Sequence, residues 1–422
     1  MKTGSRVKRV LVLSAGSFPS RVQPVHGVFV KERLRFVQRL PGIELRVLSP
    51  IPLFPPLRMF KRWYPWSQVP RHEVVDGIEV FRPRYLAIPK IGACVQPRLI
   101  ELAARREIRR WRGTFRCDVI DSHFIFPNGV AAVRLGKRLG VPVVSTGRGA
   151  DIVCCPDYPI IGAQVRFALR CATQLIAVSR EIADRMVALG ADESRVTVIP
   201  NGVDCERFGI VERRESRRRL GLDSKRPIIL AVGYRLELKG FHILIDAIPA
   251  IRRWFPDVLV AIVGGQARWA EDFRPALDER IRVNDVMNHV FLAGTRPQEE
   301  LPFWYSAANV LGILSSREGS PNVLMEALAC GLPAVATRVG GIPDVLDGNP
   351  QLGILLEERS APAAASGLIS GLSCPWDPVA IRHYAENRNW MRTAEKVGAV
   401  IDLAISGQTP SEFGVGRGAA AE

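Results

Sequence analysis

Long apolar stretches are missing from this sequence of 422 residues. No stretch approaches the roughly 18–20 consecutive apolar residues that a membrane-spanning helix needs. The apolar run Val10–Leu13 follows basic residues, but it is too short for the core of a signal peptide and favours a first strand. With 47% apolar residues, the composition is instead typical of a globular protein with an ample core.

Cysteines at the CxxC spacing are missing as well. The eight cysteines include no CxxC pair, which argues against a zinc site or a redox motif. In a chain of this length the cysteines therefore predict reduced thiols and a cytoplasmic protein. The adjacent Cys154 and Cys155 are interpreted as packing residues.

Positive charge, in contrast, is abundant and unevenly distributed. Residues 1–205 contain 33 Lys and Arg against 16 Asp and Glu, whereas residues 206–422 contain 25 against 26. The excess of positive charge in the first half predicts an anionic partner. Three kinds of partner fit this prediction: a membrane surface, a nucleic acid or an acidic substrate. No recognisable nucleic-acid module accompanies the charges, so nucleic acid is not the expected partner.

Strand and helix patterns alternate along most of the chain. This order predicts parallel sheets covered by helices on both faces. The sequence therefore predicts an α/β protein of two doubly wound domains, residues 1–205 and 206–377, with a cleft between them. A helical pattern follows over residues 378–405, and the Gly- and Ala-rich residues 406–422 are predicted to be disordered.

The segment from Asn309 to Leu346 holds the most informative pattern. An apolar run, Val310–Leu314, leads into a polar loop, and Pro321 suits the first position of a helix with Ser320 as its cap. A strand, a turn and a helix N-terminus together favour a bound phosphate, because the free N–H groups of the first turn and the helix dipole both attract an anion.

Two carboxylates flank this predicted phosphate site. Glu318 lies in the loop, and Glu326 shares a helix face with Asn322 four residues earlier. Carboxylates repel phosphate but accept hydrogen bonds from hydroxyls, and a sugar nucleotide offers a diphosphate and hydroxyls together. An ordinary strand–helix unit with a surface glutamate explains the two acids equally well, so the pair alone does not establish a site.

The spacing of Glu318 and Glu326 resembles the EX7E signature of retaining glycosyltransferases with the two-domain GT-B fold. The surrounding sequence GSPNVLMEALACGLPAVATRVGGIPDV is similar to family GT4 almost residue by residue. The resemblance extends from Val7 to about Ile405. It implies two Rossmann-like domains facing across a cleft, an N-terminal domain for the acceptor and a C-terminal domain for the nucleotide-sugar donor. It also implies that the helices of residues 378–405 cross back onto the first domain.

The resemblance assigns residues on the donor side. Lys239 matches the lysine of the family's Gly-Arg-Leu…Lys-Gly motif, which binds the donor diphosphate, and Arg235 matches its arginine with a shift of one residue. Glu326 is assigned to the ribose hydroxyls and Glu318 to the donor sugar. The donor-binding set that the family implies comprises Gly264, Gly265, Leu292, Gly319, Ser320, Pro321, Asn322, Val323 and Glu326.

Acceptor-side residues are implied in the first domain. Arg148 stands where the family's Thr-x-His-Gly-Ser-Asp-Ile segment often has a histidine. An arginine is no general base at neutral pH, but it stabilises phosphate or acceptor charge. His123 matches one position of a His-x-His motif, although a lone histidine at a strand end is more often structural. The acceptor-side set comprises Gly27, His123, Gly149 and Asp151.

These features together predict a retaining hexosyltransferase. It is expected to move a sugar from a nucleotide diphosphate, UDP more readily than GDP, to a hydroxyl of a lipid-linked or cell-envelope glycan, because the chain resembles bacterial exopolysaccharide, lipopolysaccharide and teichuronic-acid transferases. No metal or other cofactor is expected, since no DxD cluster occupies a suitable place. The alternatives are an epimerase or phosphorylase-like enzyme of the same architecture, or a non-catalytic protein that binds sugar nucleotides or membranes.

A peripheral membrane surface is predicted in the first domain. Cations suit anionic lipid and aromatic rings suit the lipid–water interface, while a solvated basic surface is the competing interpretation. The protein is therefore expected in the cytoplasm, at the inner face of the membrane. The residues that form the pattern are Arg105, Arg106, Arg109, Arg110, Trp111 and Arg112, together with Phe54, Leu57, Met59, Phe60, Trp63, Tyr64 and Trp66.

Overall fold

Two compact units make up the computed structural model, which describes residues 7–24, 26–54, 56–59, 64–86, 92–111, 113–267 and 270–407. The first unit contains the described residues up to Asn201 and those from Trp390 onward, and the second runs from Gly202 to Asn389. Each unit is an α/β structure built on a mainly parallel sheet.

The strands and helices follow one another in the alternating order that the sequence predicts. Up to Asn201 they are β1 (Lys8–Leu13), α1 (Val28–Val37), β2 (Ile43–Leu48), β3 (Ile51–Leu53), α2 (Tyr64–Ser67), β4 (His72–Val75), β5 (Ile78–Phe81), β6 (Arg84–Leu86), α3 (Gly92–Arg110), β7 (Val119–His123), α4 (Val130–Leu139), β8 (Val143–Gly147), α5 (Ala150–Val153), α6 (Pro159–Cys171), β9 (Gln174–Ala177), α7 (Arg180–Ala188) and β10 (Val196–Val198). Beyond it they are α8 (Arg213–Leu220), β11 (Ile228–Val232), α9 (Phe241–Ile251), β12 (Leu259–Val263), α10 (Arg274–Val283), β13 (Val290–Gly294), α11 (Leu301–Ala307), β14 (Val310–Ile313), α12 (Asn322–Ala329), β15 (Ala334–Thr337), α13 (Pro343–Leu346), β16 (Gly353–Leu356), α14 (Ala361–Ser373), α15 (Pro378–Glu386) and α16 (Trp390–Ser406).

The sheet of the first unit has eight strands in the order β10-β9-β8-β7-β1-β2-β5-β4. Its neighbours are parallel except for β4, which runs antiparallel to β5. The chain order reverses beside β1, whose neighbours are β2 on one side and β7 on the other. In open α/β sheets, ligands bind beyond the carboxyl ends of the strands at such a reversal point. A ligand site of the first unit is therefore expected at the loops after β1 and β7.

The first strand shows why this sheet is covered on both faces. Val10 and Val12 pack with α1 and α16, whereas Leu11 and Leu13 pack with α3 and α4 on the opposite face. All four side chains are at most 1% exposed, as expected for alternating residues of a parallel strand between two helix layers. Burial of each such side chain stabilises the unit by about 1.5–3 kcal/mol.

The sheet of the second unit has six parallel strands in the order β13-β12-β11-β14-β15-β16. Here the order reverses between β11 and β14, which are hydrogen-bonded neighbours. The loop after β11 contains Lys239, and the loop after β14 contains Glu318. The topology thus directs these two predicted site residues to one crevice.

The start of α12 differs from the prediction. Pro321 is the residue before the helix rather than its first residue, with φ −80° and ψ 78°, and no side chain caps this end. The carbonyl of Pro321 accepts hydrogen bonds from the N–H groups of Leu324 and Met325, so the helix begins one residue later than predicted. The assignment of Ser320 as a capping residue was wrong for the same reason.

The C-terminal helices are divided between the units. Helix α16 belongs to the first unit, but α15 belongs to the second, where Ile381 and Ala385 pack in the same core as Leu324 of α12. The predicted return of both helices to the first domain is therefore corrected to α16 alone. The second unit begins at Gly202, four residues before the predicted boundary, because Val203 already packs in its core. Most of the predicted disordered tail, from residue 408 onward, lies outside the described residues.

Candidate active site

A lysine and a glutamate meet at the reversal point of the second sheet. The Lys239 Nζ donates a hydrogen bond of 2.6 Å to Glu318 Oε1, and the Ser315 hydroxyl donates to the same oxygen over 2.7 Å. Both charged side chains are largely buried, with 19% of Lys239 and 11% of Glu318 exposed. The crevice therefore offers one ligand both a cation and a hydrogen-bond acceptor.

Glycines let the loops around this pair approach one another. At Gly240 (φ +70°) a Cβ would lie 2.0 Å from the carbonyl oxygen of Leu314, and at Gly340 (φ +59°) it would lie 2.1 Å from that of Glu318. Only glycine accommodates both the positive φ and the close approach of the backbone. The position of the Glu318 loop thus depends on two glycines that are distant in sequence.

Glu326 forms a second polar contact in the same unit. Its Oε2 accepts a hydrogen bond of 2.8 Å from the hydroxyl of Tyr305 on α11. Burial raises the pKa of Glu326 to about 7, although the Tyr305 hydrogen bond and the charge of Arg207 act to lower it. Burial, followed by the charge of Glu326, raises the pKa of Tyr305 well above its ordinary value, so the phenol remains a donor. Near neutral pH, ligand hydroxyls that donate to Glu326 would favour its ionised form.

Arg235 has a different partner from Lys239. Its Nε and Nη2 each donate to one carboxylate oxygen of Asp272 over 3.1 Å, and its backbone N–H donates to the carbonyl of Gly265 over 2.9 Å. The hydrogen bond from Arg235 lowers the pKa of Asp272. The structure therefore brings Lys239 and Glu318 into contact but directs the Arg235 guanidinium to an aspartate.

The predicted glycine turn lies at the carboxyl end of β12. Gly264 has φ +145°, and a Cβ there would lie 1.7 Å from the carbonyl oxygen of Gly233. At Gly265 a Cβ would lie 2.0 Å from the Thr295 hydroxyl. Leu292 lies in β13, the neighbouring strand. The loops after β11 and β12 thus pack backbone against backbone, and the loop after β13 contacts the glycine turn through the Thr295 hydroxyl.

Residues 319–323 form the turn into α12. The N–H of Asn322 donates to the carbonyl of Ser320 over 3.0 Å, and the N–H of Gly341 donates to that of Gly319 over 2.9 Å. The first amides of a helix lack intrahelical acceptors. Because Glu318 directly precedes this turn, the start of α12 lies beside the Lys239–Glu318 contact.

The first unit holds a buried charged cluster after β7 and β8. Arg148 Nη2 lies 2.7 Å from His123 Nδ1, and Arg148 Nη1 donates to the side-chain carbonyl of Asn201 over 3.2 Å. His123 Nε2 lies 3.5 Å from Asp121 Oδ2, and Nη2 of Arg33 lies 3.5 Å from the same oxygen. The cluster lies at the ends of β7 and β8, beside the point where the strand order of the first sheet reverses. A ligand site is expected there.

The charges of this cluster follow from burial and mutual contact. Burial lowers the pKa of His123 to about 4, although Asp121 opposes the shift. Burial acts to raise the pKa of Asp121, but Arg33 and His123 outweigh it and lower the value to about 2. Burial, together with the charge of Arg33, lowers the pKa of Arg148 to about 9. At neutral pH, Asp121 is therefore an anion, His123 is neutral and Arg148 is a cation.

Three predicted acceptor-side residues support the backbone. Asp151 Oδ1 accepts from the N–H groups of Arg148 and Gly149 over 3.1 and 2.9 Å, and Oδ2 accepts from that of Ile125 over 2.7 Å. Gly27 precedes α1 with φ +71°, and a Cβ there would lie 2.2 Å from the backbone of the preceding loop. Asp151 and Gly149 thus hold the loop that carries Arg148, whereas Gly27 shapes the loop before α1. Their role toward an acceptor stays a prediction.

Sequence reasoning missed several residues of both clusters. Asp121 had a signal, because it precedes His123 by two residues and so lies on the same face of β7. The sequence indicated Ser315 less clearly, as part of the polar loop before Glu318. The other missed residues contact the site from distant elements and had no local signal: Arg33, Asn201, Asp272 and Tyr305.

The predicted membrane surface is only partly exposed. Trp111 packs edge-on against two phenylalanines and is only 5% exposed, so its assignment to the lipid interface was wrong. Leu57 and Met59 are exposed, by 49% and 78%. Phe60, Trp63 and Arg112 lie outside the described residues.

Within the described ranges, no helix combines the length and apolarity needed to cross a bilayer. The same residues contain no group of three or more His, Cys, Asp or Glu side chains arranged to hold a metal ion.

Two α/β units, each with polar side chains at the reversal point of its sheet, are the architecture of the GT-B glycosyltransferases. Residues 42–207 match the family model described as Glycosyltransferase Family 4, and residues 212–388 match that of Glycosyl transferases group 1. The chain belongs to the family 4 glycosyltransferases. The enzyme class and the fold class predicted from the sequence are thereby confirmed.

Curated relatives extend over most of the chain. A teichuronic acid biosynthesis glycosyltransferase of Bacillus subtilis, TuaC, is 30% identical over 357 residues, which cover 83% of this chain and 86% of the relative. A D-inositol 3-phosphate glycosyltransferase of Pseudarthrobacter chlorophenolicus is 30% identical over 327 residues, covering 72% and 76%. The similarity is therefore not confined to one domain.

Solved structures share the fold at low sequence identity. Sucrose-phosphate synthase from Thermosynechococcus elongatus superposes with a TM-score of 0.73 at 18% identity, covering 95% of this chain and all of the other. HepE of Anabaena, solved in complex with UDP-glucose, superposes with a TM-score of 0.67 at 18% identity, covering 93% and 99%. These likenesses show the fold.

Proposed function

We propose that this glycosyltransferase moves a hexose from a UDP-sugar, in preference to a GDP-sugar, to a hydroxyl of a lipid-linked or cell-envelope glycan, with retention at the anomeric carbon. The observation that carries the proposal is the contact of Lys239 with Glu318 beside the start of α12. It combines a cation and helix amides for a diphosphate with a carboxylate for a hydroxyl. The UDP-glucose complex of HepE and the description of TuaC support the choice of donor and acceptor.

The departing diphosphate develops negative charge, and the roles of the surrounding residues follow from the need to stabilise that charge. Lys239 and the amides at the start of α12 stabilise the negative charge that develops on the diphosphate, an electrostatic effect that is usually the largest in such catalysis. Arg235 adds a second cation when it exchanges Asp272 for phosphate. Glu318 binds a hydroxyl of the donor sugar. The bond between the anomeric carbon and the diphosphate oxygen breaks, the acceptor hydroxyl attacks the same face of that carbon, and its proton passes to the departing diphosphate oxygen. The reaction needs no bound metal.

The remaining residues bind the nucleoside and the acceptor. Glu326 accepts hydrogen bonds from the ribose hydroxyls, while its Oε2 also accepts from the hydroxyl of Tyr305. The turns at Gly264, Gly265 and Leu292 receive the rest of the nucleotide. In the first unit, Arg148 stabilises charge on the acceptor side. These assignments predict loss of donor consumption in Glu326→Ala.

UDP-sugars are expected to raise the melting temperature of the protein more than GDP-sugars do. A donor present at 100 times its Kd stabilises the folded state by about 2.7 kcal/mol. Differential scanning fluorimetry with a panel of both donor types measures the effect, and Glu326→Ala serves as the variant in which the shift should shrink. A larger shift with GDP-sugars would reverse the assignment of the base.

Donor affinity is expected to rise between pH 6 and pH 8 by up to about tenfold. Burial raises the pKa of Glu326 to about 7, and only the ionised carboxylate accepts hydrogen bonds from both ribose hydroxyls, so loss of its proton strengthens binding. Isothermal titration with UDP-glucose measures this trend, because its diphosphate lacks the secondary ionisation near pH 6 of a terminal phosphate.

Two variants check the origin of this pH dependence. Glu326→Gln should bind UDP-glucose with an affinity that is nearly constant over the same range. Tyr305→Phe removes a hydrogen bond that lowers the pKa of Glu326, so it should move the midpoint to higher pH. A wild-type affinity that stays flat, or that falls as the pH rises, contradicts the assignment of Glu326.

Binding to anionic membranes is a separate expectation, and it would place the protein at the inner face of the cytoplasmic membrane. The excess of positive charge in residues 1–205 should attract vesicles rich in phosphatidylglycerol at low salt and release them at high salt. Co-sedimentation measures this, with phosphatidylcholine vesicles as the control and Met59→Asp as a weakening variant. No binding at low salt would remove the membrane from the proposal.

A further inference from the structure

Arg148 is a buried cation whose direct side-chain partners are neutral. It is 8% exposed, donates to the Asn201 amide, contacts His123, and lies 5.0 Å above the ring of Phe29. Among the described residues, no carboxylate forms an ion pair with its guanidinium. A buried charge of this kind needs an arrangement that holds it in place.

The contact with His123 determines the tautomer of that histidine. A guanidinium has only hydrogen-bond donors, so His123 Nδ1, 2.7 Å from Arg148 Nη2, must be the acceptor. The ring proton is therefore on Nε2, the nitrogen that faces Asp121 Oδ2 at 3.5 Å. The opposite tautomer would direct an N–H against the N–H of the arginine.

Asp121, at the other end of this series of contacts, is also held in place by neighbouring side chains. Arg33 on α1 lies 3.5 Å from Asp121 Oδ2 and donates to the hydroxyl of Thr146 over 2.9 Å. Asp121 and His123 lie two residues apart on one face of β7, and His123 is the register partner of Thr146 on β8. The paired strands β7 and β8 thus fix the positions of Asp121, His123 and Thr146.

We infer that Asp121 and His123 are positioning residues, which orient Arg148 through the sequence of contacts Asp121–His123–Arg148, with Arg33 as the counter-ion of Asp121. The negative charge of Asp121 stabilises the Nε2–H tautomer that the arginine contact requires, and the lone pair on Nδ1 fixes the rotamer of the arginine. The guanidinium is thereby fixed before a ligand arrives, and its buried Nε has no hydrogen-bond partner among the described residues. The inference rests on the proposed function only for the role of Arg148 toward the acceptor.

Nuclear magnetic resonance tests the tautomer directly. The full chain is labelled with ¹⁵N-histidine, and the His123 signals among the six histidines are assigned by their loss in His123→Asn. We expect a protonated Nε2 and an unprotonated Nδ1 at neutral pH. A protonated Nδ1, in either the neutral or the charged ring, overturns the inference. This measurement needs no enzymatic turnover, so its result does not depend on whether the proposed function is correct.

Kinetics test whether Asp121 acts through Arg148. Asp121→Asn is expected to lower kcat about tenfold with the donor KM within twofold of wild type, and to have no further effect in an Arg148→Lys background. Glu101→Gln is the matched control, since Glu101 is an equally buried carboxylate held by Arg98 and Arg138 on α3 and α4. Equal losses from Asp121→Asn in both backgrounds, or an equal loss in Glu101→Gln, would show that Asp121 only supports the fold.

Discussion

Replacing Lys239 by methionine is expected to lower kcat by about 10²–10³-fold, the usual loss when one preorganised group that stabilises developing charge is removed. The variant removes the cation of the donor site and also leaves Glu318, whose Oε1 contacts Lys239 at 2.6 Å, as an uncompensated negative charge beside the diphosphate. Steady-state rates of donor consumption with a UDP-sugar measure the loss.

Two further variants separate these effects. Lys225→Met removes an exposed lysine of the same unit and should leave kcat unchanged. The double variant Lys239→Met/Glu318→Gln should recover part of the donor affinity, because the repulsion is gone, without recovering kcat. If Lys239→Met loses less than about tenfold in kcat, the diphosphate is stabilised elsewhere and the role of Lys239 is refuted.

Replacing Gly264 by alanine is expected to destabilise the second unit and to abolish donor binding. The residue has φ +145°, and its Cβ would lie 1.7 Å from the carbonyl oxygen of Gly233. Such a backbone conformation costs a non-glycine residue roughly 1–3 kcal/mol, and forcing an atom into a packed region costs about 1–3 kcal/mol more. Urea unfolding followed by tryptophan fluorescence, with and without a UDP-sugar, measures both consequences.

Gly348→Ala is the matched control for this prediction. Gly348 also has a positive φ, +74°, but nothing lies within 4 Å of a Cβ built there. It should therefore show only the cost of the left-handed conformation, about 1–2 kcal/mol, and keep the stabilisation by donor. Equal destabilisation of the two variants would mean that the overlap with Gly233 is relieved by movement of the loop.

The buried strands of the second unit were the most predictable part of the fold. The strand predicted at Val310–Leu314 agrees to within one residue with β14, Val310–Ile313, because parallel strands buried on both faces appear as uninterrupted apolar runs. The strands His72–Val75 and Gly353–Leu356 were missed. Both lie at sheet edges, and their extended conformation depends on pairing with a neighbour that the local sequence does not reveal.

The site was predictable only where its residues lie in local patterns. Lys239, Glu318 and Glu326 were found through motifs, but the contact between Lys239 and Glu318 joins residues 79 positions apart. The partner of Arg235, Asp272, lies 37 positions away and follows no pattern that marks it. Trp111 was misassigned because a ring beside arginines suits an interface as well as a core, and only the packing of α3 decides between them.

The Lys239–Glu318 contact has a consequence for selectivity. An empty site that already contains its own counter-charge has little attraction for simple anions, because inorganic phosphate would gain the ammonium only by leaving the carboxylate without a partner. With the roles proposed above, a sugar nucleotide would compensate both groups at once, since its diphosphate would replace the glutamate and its sugar hydroxyl would replace the lysine. An inhibitor that competes with the donor must therefore carry a hydrogen-bond donor for Glu318 as well as an anion for Lys239.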